Sequence, residues 1–313
     1  MSNKQNFIDV VKNHKKTDSL AFWELHFHLW NKYSSGFVSG EAFNLLAENK
    51  KLDALKRDAE IIKEVGERLR FSCVSIPDNP WDCIYTLPNK YRLILIDEIS
   101  KLKPDFAITG SCGGVISPPA TSNDYMDFCY KIFDDPEEID EMCEGMYVEW
   151  LAMVDEFIDA GMDFITVASD VADNKNVFFN PEQMNRWYLP YLKKHVDYAH
   201  KRGIGVILHT DGNINSILME IEETGIDGLQ AIDPIAGMSL ENVLKYYDGR
   251  VAACGNLDCG LMLNGTPDEV YEEAKRILNK CKGYSGFVFG NSNAVVEDTP
   301  KENYDAYLSA ISG

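Results

Sequence analysis

The chain has 313 residues, 45% of them hydrophobic, which is enough for one large α/β domain with a substantial core. Its 50 acidic and 30 basic residues give a formal net charge of −20, which argues against nucleic acid or an anionic membrane as a partner, because both are polyanions. The eight cysteines form no C-x-x-C pair, no apolar run reaches the roughly 20 residues of a membrane span, and the first residues are too polar for an export signal. We therefore expect reduced thiols and a cytoplasmic protein.

Eight short apolar stretches predict the strands of a parallel sheet covered by helices. They are residues 20–27, 71–76, 105–109, 163–168, 204–208, 227–232, 250–254 and 286–289. Helical signals lie between them: residues 52–69 repeat apolar side chains at helical spacing, and 181–202 follow the N-cap residue Asn180 and end before Gly203. Strands alternating with helices predict one (β/α)8 TIM barrel domain over residues 1–313, with an N-terminal helical extension. A doubly wound open sheet is the alternative, although no G-x-G-x-x-G follows the first strand.

Polar side chains follow nearly every predicted strand. In barrel enzymes the chemistry lies at the C-terminal ends of the strands, where such side chains converge. The polar residues at these ends are, in chain order, Glu24, His26, His28, Asp78, Asp170, Asp173, His209, Asp211, Asp233, Asn256, Asp258 and Asn293. Their number predicts an active-site cleft at this end of the barrel. Cys112, in the segment GSCGG, is a candidate nucleophile for which the sequence shows no partner.

The stretch WELHFHLW places three of these residues near the end of the first strand. Strand alternation puts Glu24, His26 and His28 on one face and Trp23 on the other. Two imidazoles and a carboxylate on one face can bind a divalent metal or transfer protons, or they can simply form hydrogen bonds at the barrel rim. The three histidines expected on the protein surface are His14, His195 and His200.

The stretch IGVILHTDGNI carries a second candidate pair. If the strand continues past residue 208, His209 and Asp211 lie on the same side, where they can bind a metal or form an imidazole oriented by a carboxylate. Asp170 and Asp173 follow the preceding strand and can act as metal ligands, proton-transfer groups or substrate anchors. For Asp173, capping of a local turn is an equal alternative.

Three stretches resemble the uroporphyrinogen decarboxylase superfamily, which also contains the cobamide-dependent methyltransferases of anaerobes. They are FFNPEQMNRWYLPYLKKHVDYAHKRGIGVILHTDGNI, ACGNLD and FGNSNAVVEDTPKENYDAY. AFWELHFHLW adds a match to an uncharacterised bacterial branch of the superfamily. The resemblance implies a (β/α)8 barrel with its active-site cleft at the C-terminal strand ends.

This sequence departs from the pattern of both known activities. Decarboxylases carry an R-x-x-G-R segment near the N-terminus that binds the carboxylates of the porphyrinogen, and nothing here matches it. Thiol-methylating members hold zinc through an H-x-C pair and a later cysteine, and the corresponding positions here are His209, Asp211 and Asn293. The resemblance therefore implies that any zinc is held by His209 with oxygen or imidazole ligands, for example Glu24 and His28.

The function implied is that of a corrinoid-dependent methyltransferase. It would move a methyl group between a small O- or N-methylated substrate, such as a methoxylated aromatic, and the cobalt of a corrinoid, as in anaerobic O-demethylation. The chain has no D-x-H-x-x-G motif, so the corrinoid is expected on a partner protein that docks over the barrel mouth. His209, or a metal that it holds, would activate the leaving group, with Asp170 and Glu24 as further catalytic residues. The residues expected to bind substrate are His28, Asp173, Asp211, Asn256, Asn293 and Trp23, with Trp30 and Phe179 as apolar walls.

Two other functions stay open on the sequence alone. One is a decarboxylase or lyase for a small substrate, with an aspartate or histidine as the proton donor and no corrinoid. The other is a non-catalytic binding barrel, which the many polar strand ends argue against. A homodimer is a further expectation.

Overall fold

The computed structural model describes residues 1–76, 87–111, 113–119 and 121–312, and it forms a closed barrel of eight parallel strands. The predicted features at Asp78 and Cys112 lie outside the described residues. The barrel strands are β1 (Ala21–Glu24), β3 (Cys73–Ser75), β4 (Ala107–Gly110), β5 (Phe164–Ala168), β6 (Gly205–Thr210), β7 (Gly228–Ala231), β8 (Ala252–Cys254) and β9 (Phe287–Phe289). They neighbour one another in chain order, and pairing of Ala21 with Val288 closes the sheet. The predicted barrel is confirmed, and so are its eight strands.

Helices surround this barrel, and a separate two-stranded ribbon lies beside it. The ribbon pairs β2 (His26–Phe27) with β10 (Ala294–Val295). The helices are α1 (Asn3–Val11), α2 (Trp30–Tyr33), α3 (Gly40–Asn44), α4 (Glu48–Arg68), α5 (Asn89–Lys101), α6 (Ser122–Asp134), α7 (Pro136–Ala160), α8 (Pro181–Gln183), α9 (Leu189–Lys201), α10 (Leu218–Glu223), α11 (Leu240–Tyr247), α12 (Cys259–Asn264), α13 (Pro267–Cys281) and α14 (Lys301–Ser312). A π-helical turn, Met184–Tyr188, joins α8 to α9, and a 3₁₀ turn, Asn215–Ile217, precedes α10. Among the described residues, no helix is both long enough and apolar enough to cross a membrane.

The N-terminal helix α1 closes one end of the barrel. Phe7 of α1 is fully buried inside the barrel, with its ring 6.0 Å from that of Trp23 and 5.1 Å from that of Phe164. Lys4 pairs with Asp163, which precedes β5, so α1 lies at the N-terminal ends of the strands. The expected N-terminal helical extension is therefore a plug that fills the base of the barrel, opposite the strand ends that carry the candidate site.

The first predicted strand is interrupted, and the interruption separates Glu24 from the histidines that follow it. A bend at Leu25 ends β1, and the next two residues pair with β10 instead of with the barrel. Regular alternation is lost at the bend, so Leu25, His26 and His28 face the barrel mouth. Glu24 instead lies on the outer side of the sheet, only 2% exposed. The prediction that these polar side chains share one face is wrong for Glu24.

The helix-end signals at Asn180 and Gly203 are confirmed, whereas His195 does not lie at the surface as expected. Asn180 and Gln183 form a reciprocal capping box at the start of α8, and Gly203 follows α9 with a positive φ of 78°. His195, expected at the surface, is 1% exposed and packs against Trp150 with ring centroids 4.2 Å apart. Burial lowers the pKa of His195 to about 4, so this imidazole is a neutral core group.

Glu24→Gln is expected to flatten the pH dependence of stability. Burial raises the pKa of Glu24 from 4.5 to about 8, against the opposing hydrogen bonds from the Asn291 N–H and the Tyr304 hydroxyl. The folded state thus holds this proton more tightly than the unfolded chain does. The resulting stabilisation is complete below the lower pKa and is lost as the pH rises through the higher one, by up to about 1.4 kcal/mol per pH unit.

Urea unfolding followed between about pH 5 and 8 measures this slope, because glutamine fills the same space and carries no such proton. Glu60→Gln, on the exposed face of α4, is the control and should leave the slope unchanged. Equal slopes for wild type and Glu24→Gln would contradict the assignment of a buried, protonated Glu24.

Candidate active site

A pocket of about 970 Å³, counted to its opening into solvent, lies at the C-terminal mouth of the barrel. Its walls come from the bend after β1, from β2 to β6 and from the segment after β9, so the predicted convergence is observed for these elements but not for the ends of β7 and β8. The described lining residues are Leu25, His26, His28, Ser75, Ile76, Gly110, Ser111, Thr166, Ala168, Ser169, Asp170, His209, Asp211, Asn293, Ala294 and Val296. Five of the predicted site residues are therefore among them: His28, Asp170, His209, Asp211 and Asn293.

His209 lies at the end of β6 and is held by Gln230, its partner in register on β7. The Nδ1 atom of His209 is 2.5 Å from Oε1 of Gln230, and the Gln230 amide nitrogen donates to the carbonyls of Asn291 (3.3 Å) and Ser292 (3.1 Å). Because the Gln230 nitrogen is used by these two carbonyls, its oxygen must be the atom that faces the imidazole. Nδ1 therefore carries the proton in the neutral ring, and Nε2 keeps a lone pair.

Two carboxylates stand beside this Nε2 atom. Oδ1 of Asp170 is 3.9 Å from Nε2 of His209 and accepts a hydrogen bond of 3.0 Å from the Asp211 N–H. Oδ2 of Asp211 accepts a hydrogen bond of 2.6 Å from the side-chain amide of Asn293. One potential ligand atom from each of Asp170, His209 and Asp211 lies within 4.8 Å of the others. The three side chains form the chemical centre of the pocket.

Burial and charge act on Asp211 in opposite directions. Burial raises its pKa, and the carboxylates of Asp170 and Asp233 raise it further, whereas His209 and the Asn293 amide lower it. The net result is a pKa of about 6. Asp211 is thus mostly ionised at neutral pH, where it can act as a metal ligand, and it takes up a proton in mildly acidic solution.

These three residues fit a divalent metal ion. An imidazole nitrogen whose other ring nitrogen is fixed by a hydrogen bond, together with two carboxylate oxygens, is a typical donor set for zinc and for harder divalent ions. The set differs from the one expected, because Glu24 faces the other side of the sheet and the carboxylate oxygens come from Asp170 and Asp211. His28 lines the same pocket but does not belong to this cluster.

Two residues predicted to bind substrate have local structural roles instead. Asp173 is exposed, and its carboxylate accepts the backbone N–H groups of Lys175 (2.7 Å) and Asn176 (2.8 Å), which lower its pKa. It therefore caps a turn, the alternative raised from the sequence. Asn256 donates to the carbonyl of Ile232 at 2.7 Å and lies outside the pocket lining.

The three aromatic residues expected near the substrate belong to the protein core. Trp23 lies inside the barrel and donates its indole N–H to the Ser75 hydroxyl at 2.9 Å, so it supports a residue that lines the pocket. Trp30 and Phe179 are buried in the layer between the sheet and the helices. Apart from its histidines, its aspartates and Asn293, the described pocket lining consists of small and aliphatic side chains.

Gln230 is the residue of this site that sequence analysis missed. Its signal was an amide inside the short apolar strand DGLQAI, where burial requires hydrogen-bond partners. It is 2% exposed, and all its partners are at or beside the pocket.

The sequence of this barrel is similar to those of known proteins. Residues 90–313 match the family described as Uroporphyrinogen decarboxylase (URO-D), which is more than half of the chain. A methylcobamide:CoM methyltransferase of Methanosarcina acetivorans is 28% identical over 49% of this chain and 42% of its own length. A uroporphyrinogen decarboxylase of Vesicomyosocius okutanii is 27% identical over 58% of this chain and 50% of its own length. The chain thus spans about half the length of these curated relatives.

A solved structure shares the fold over the entire chain. The methyltransferase from Methanosarcina mazei superposes with a TM-score of 0.70 and 17% identity, covering 100% of this chain and 98% of that one. At this identity the likeness concerns the fold alone. The match of residues 90–313 to the family model shows that the chain belongs to the uroporphyrinogen decarboxylase family.

We expect one equivalent of Co²⁺, a spectroscopic substitute for Zn²⁺, to bind at Asp170, His209 and Asp211. Asp170→Asn and Asp211→Asn each remove a charged donor and should weaken binding at least about tenfold. The measurement is a titration of chelator-treated protein followed by visible absorbance. Asp173→Asn is the matched control and should bind as wild type does, because that carboxylate caps a turn. Equal weakening by Asp173→Asn, or no binding by wild type, would contradict the site.

Proposed function

We propose that this member of the uroporphyrinogen decarboxylase family is a methyltransferase that moves a methyl group between a small O- or N-methylated compound and the cobalt of a corrinoid carried by another protein. The observation that carries the proposal is the cluster of Asp170, His209 and Asp211 in a pocket at the open mouth of the barrel. Similarity to methylcobamide:CoM methyltransferases supports the reaction class.

The charge of the pocket favours a substrate without carboxylates. Its described lining contains two aspartates and three histidines but neither lysine nor arginine. The stretches outside the described residues, 77–86, Cys112, Ala120 and Gly313, also contain no basic residue in their sequence. A porphyrinogen with eight carboxylates would meet no lysine or arginine in the described lining and would be repelled by both aspartates. Neutral or cationic methylated compounds, such as neutral methoxylated aromatics and methylamines, fit this surface.

The chemistry requires stabilisation of the atom that loses the methyl group. When the bond from the methyl carbon breaks, its electron pair stays on the substrate oxygen or nitrogen, and a proton or a Lewis acid at that atom lowers the barrier. A divalent metal, when bound, would supply the Lewis acidity. His209, through its Nε2 atom, and the carboxylates of Asp170 and Asp211 would hold that ion beside the leaving group. Asn293 would keep Asp211 oriented through its amide.

Among the described residues, the lining of this pocket contains no cysteine, whereas a soft metal site that binds a thiol substrate uses thiolate ligands. Its metal-binding candidates are an imidazole and carboxylates, which favour oxygen and nitrogen ligands. This supports a methyl donor or acceptor in which oxygen or nitrogen carries the methyl group. Similarity to uroporphyrinogen decarboxylases keeps decarboxylation of a small substrate as the alternative outcome of the test.

The test is anaerobic incubation of the purified protein with free cob(I)alamin and a panel of methylated donors. The panel pairs each methoxylated aromatic acid with its neutral analogue and includes methylamines. Formation of methylcobalamin is followed by absorbance. We expect methylcobalamin with a neutral or cationic donor, and a loss of at least about a hundredfold in rate for His209→Ala.

Asp197→Asn, on the exposed side of α9, is the control and should retain the wild-type rate. Turnover that persists in His209→Ala would overturn the site assignment. No methylcobalamin from any donor, together with release of carbon dioxide from a carboxylated substrate, would replace methyl transfer by decarboxylation.

A further inference from the structure

We infer that the segment Gly290–Asn293 is a brace that positions His209 and Asp211, and that the buried Glu24 is its anchor. Glu24 touches neither the pocket nor the reacting groups, so the structure assigns it a positioning role in place of the catalytic one expected from the sequence. The inference depends on His209 being the reactive imidazole of the proposed function. Its readout is the state of that imidazole and not the reaction.

The outer side of the brace is fixed by Glu24. Oε2 of Glu24 accepts the Asn291 N–H at 2.8 Å, and Oε1 accepts the hydroxyl of Tyr304 on α14 at 3.1 Å. Both oxygens of this buried carboxyl are thereby used, one on the brace and one on the C-terminal helix. Burying a carboxyl group costs free energy unless its partners compensate, and here one of the two partners is the backbone of the brace itself.

Close packing and backbone bonds hold the brace on its other sides. A Cβ atom at Gly290 would lie 2.1 Å from the Trp23 carbonyl oxygen, so only glycine lets the chain pass this close to β1. The segment also pairs with Leu257, which donates to the Gly290 carbonyl at 3.1 Å and accepts the Ser292 N–H at 2.7 Å. The brace is therefore wedged between β1 and the residues after β8.

The inner side of the brace reaches two of the three groups at the centre of the pocket. Its carbonyls at Asn291 and Ser292 accept the Gln230 amide nitrogen, which turns the Gln230 oxygen toward Nδ1 of His209. The side-chain amide of Asn293 donates to Asp211 at 2.6 Å. If the brace shifted, His209 would no longer be held in one tautomer, and Asp211 would no longer be held in one orientation. Glu24 acts on the site through this segment, from the opposite face of the sheet.

The experiment observes the ring nitrogens of His209 by NMR in chelator-treated protein labelled with ¹⁵N-histidine. The resonances are assigned from their loss in His209→Gln. In wild type the two nitrogens should resonate far apart, as in a single neutral tautomer with its proton on Nδ1. Gln230→Leu removes the inner link and should bring the two resonances together, because both tautomers become populated. Glu24→Ala removes the anchor and should shift them in the same direction.

Two control variants complete the experiment. Glu24→Gln keeps an acceptor for the Asn291 N–H and should retain the wild-type spectrum. Ile277→Ala, a core change on α13 without a bond to the brace, should also retain it. Unchanged resonances in Gln230→Leu or in Glu24→Ala would overturn the inference, and so would an equal shift in Ile277→Ala. Gln230→Leu tests the link from its inner end, so the result does not depend on Glu24→Ala folding.

Discussion

The hydrogen bond between Nδ1 of His209 and Gln230 is the interaction on which the rest of the candidate site depends. It exists because β6 and β7 are adjacent parallel strands whose register sets these two residues side by side. A buried imidazole with both nitrogens free would be neither oriented nor fixed in one tautomer. With Nδ1 occupied, Nε2 becomes the atom that meets Asp170, and the pocket gains a directed nitrogen beside two oxygens.

Two carboxylates and one imidazole set the charge at the centre of the pocket, within a strongly acidic protein. Asp211 is partly buried near a second carboxylate, which raises its pKa, and the Asn293 amide and His209 offset part of that cost. Two carboxylates beside a neutral imidazole would favour a cation at this position. In the proposed function, the same feature would disfavour a polycarboxylate, because the described lining contains neither lysine nor arginine. Membership of the family therefore leaves the substrate open, and the polarity of the pocket restricts it.

Sequence reasoning predicted the features that depend on periodic patterns and failed where geometry breaks the pattern. Alternating apolar stretches and helix caps predicted the barrel, and the strand ends led to Asp170, His209, Asp211 and Asn293. Glu24 was misplaced because a bend at Leu25, which no residue preference announces, ends the alternation. The role of Asp173 could not be decided from the sequence, because an aspartate that follows a strand can belong to a functional site or cap a turn with the same sequence neighbours. Gln230 was missed because its importance lies in the loop carbonyls it meets, which are about sixty residues away in sequence.

The helix that fills the base of the barrel has a consequence for the order of events in the proposed reaction. With Phe7 and its neighbours packed between the strands, the described residues fill the base of the barrel, opposite the pocket. A large carrier protein and a small methylated compound would then share a single entrance. The small molecule would have to enter before the carrier covers the opening, and its demethylated product would leave only after the carrier departs. Steady-state kinetics would therefore follow a compulsory sequence, with excess carrier acting as an inhibitor that traps the empty barrel.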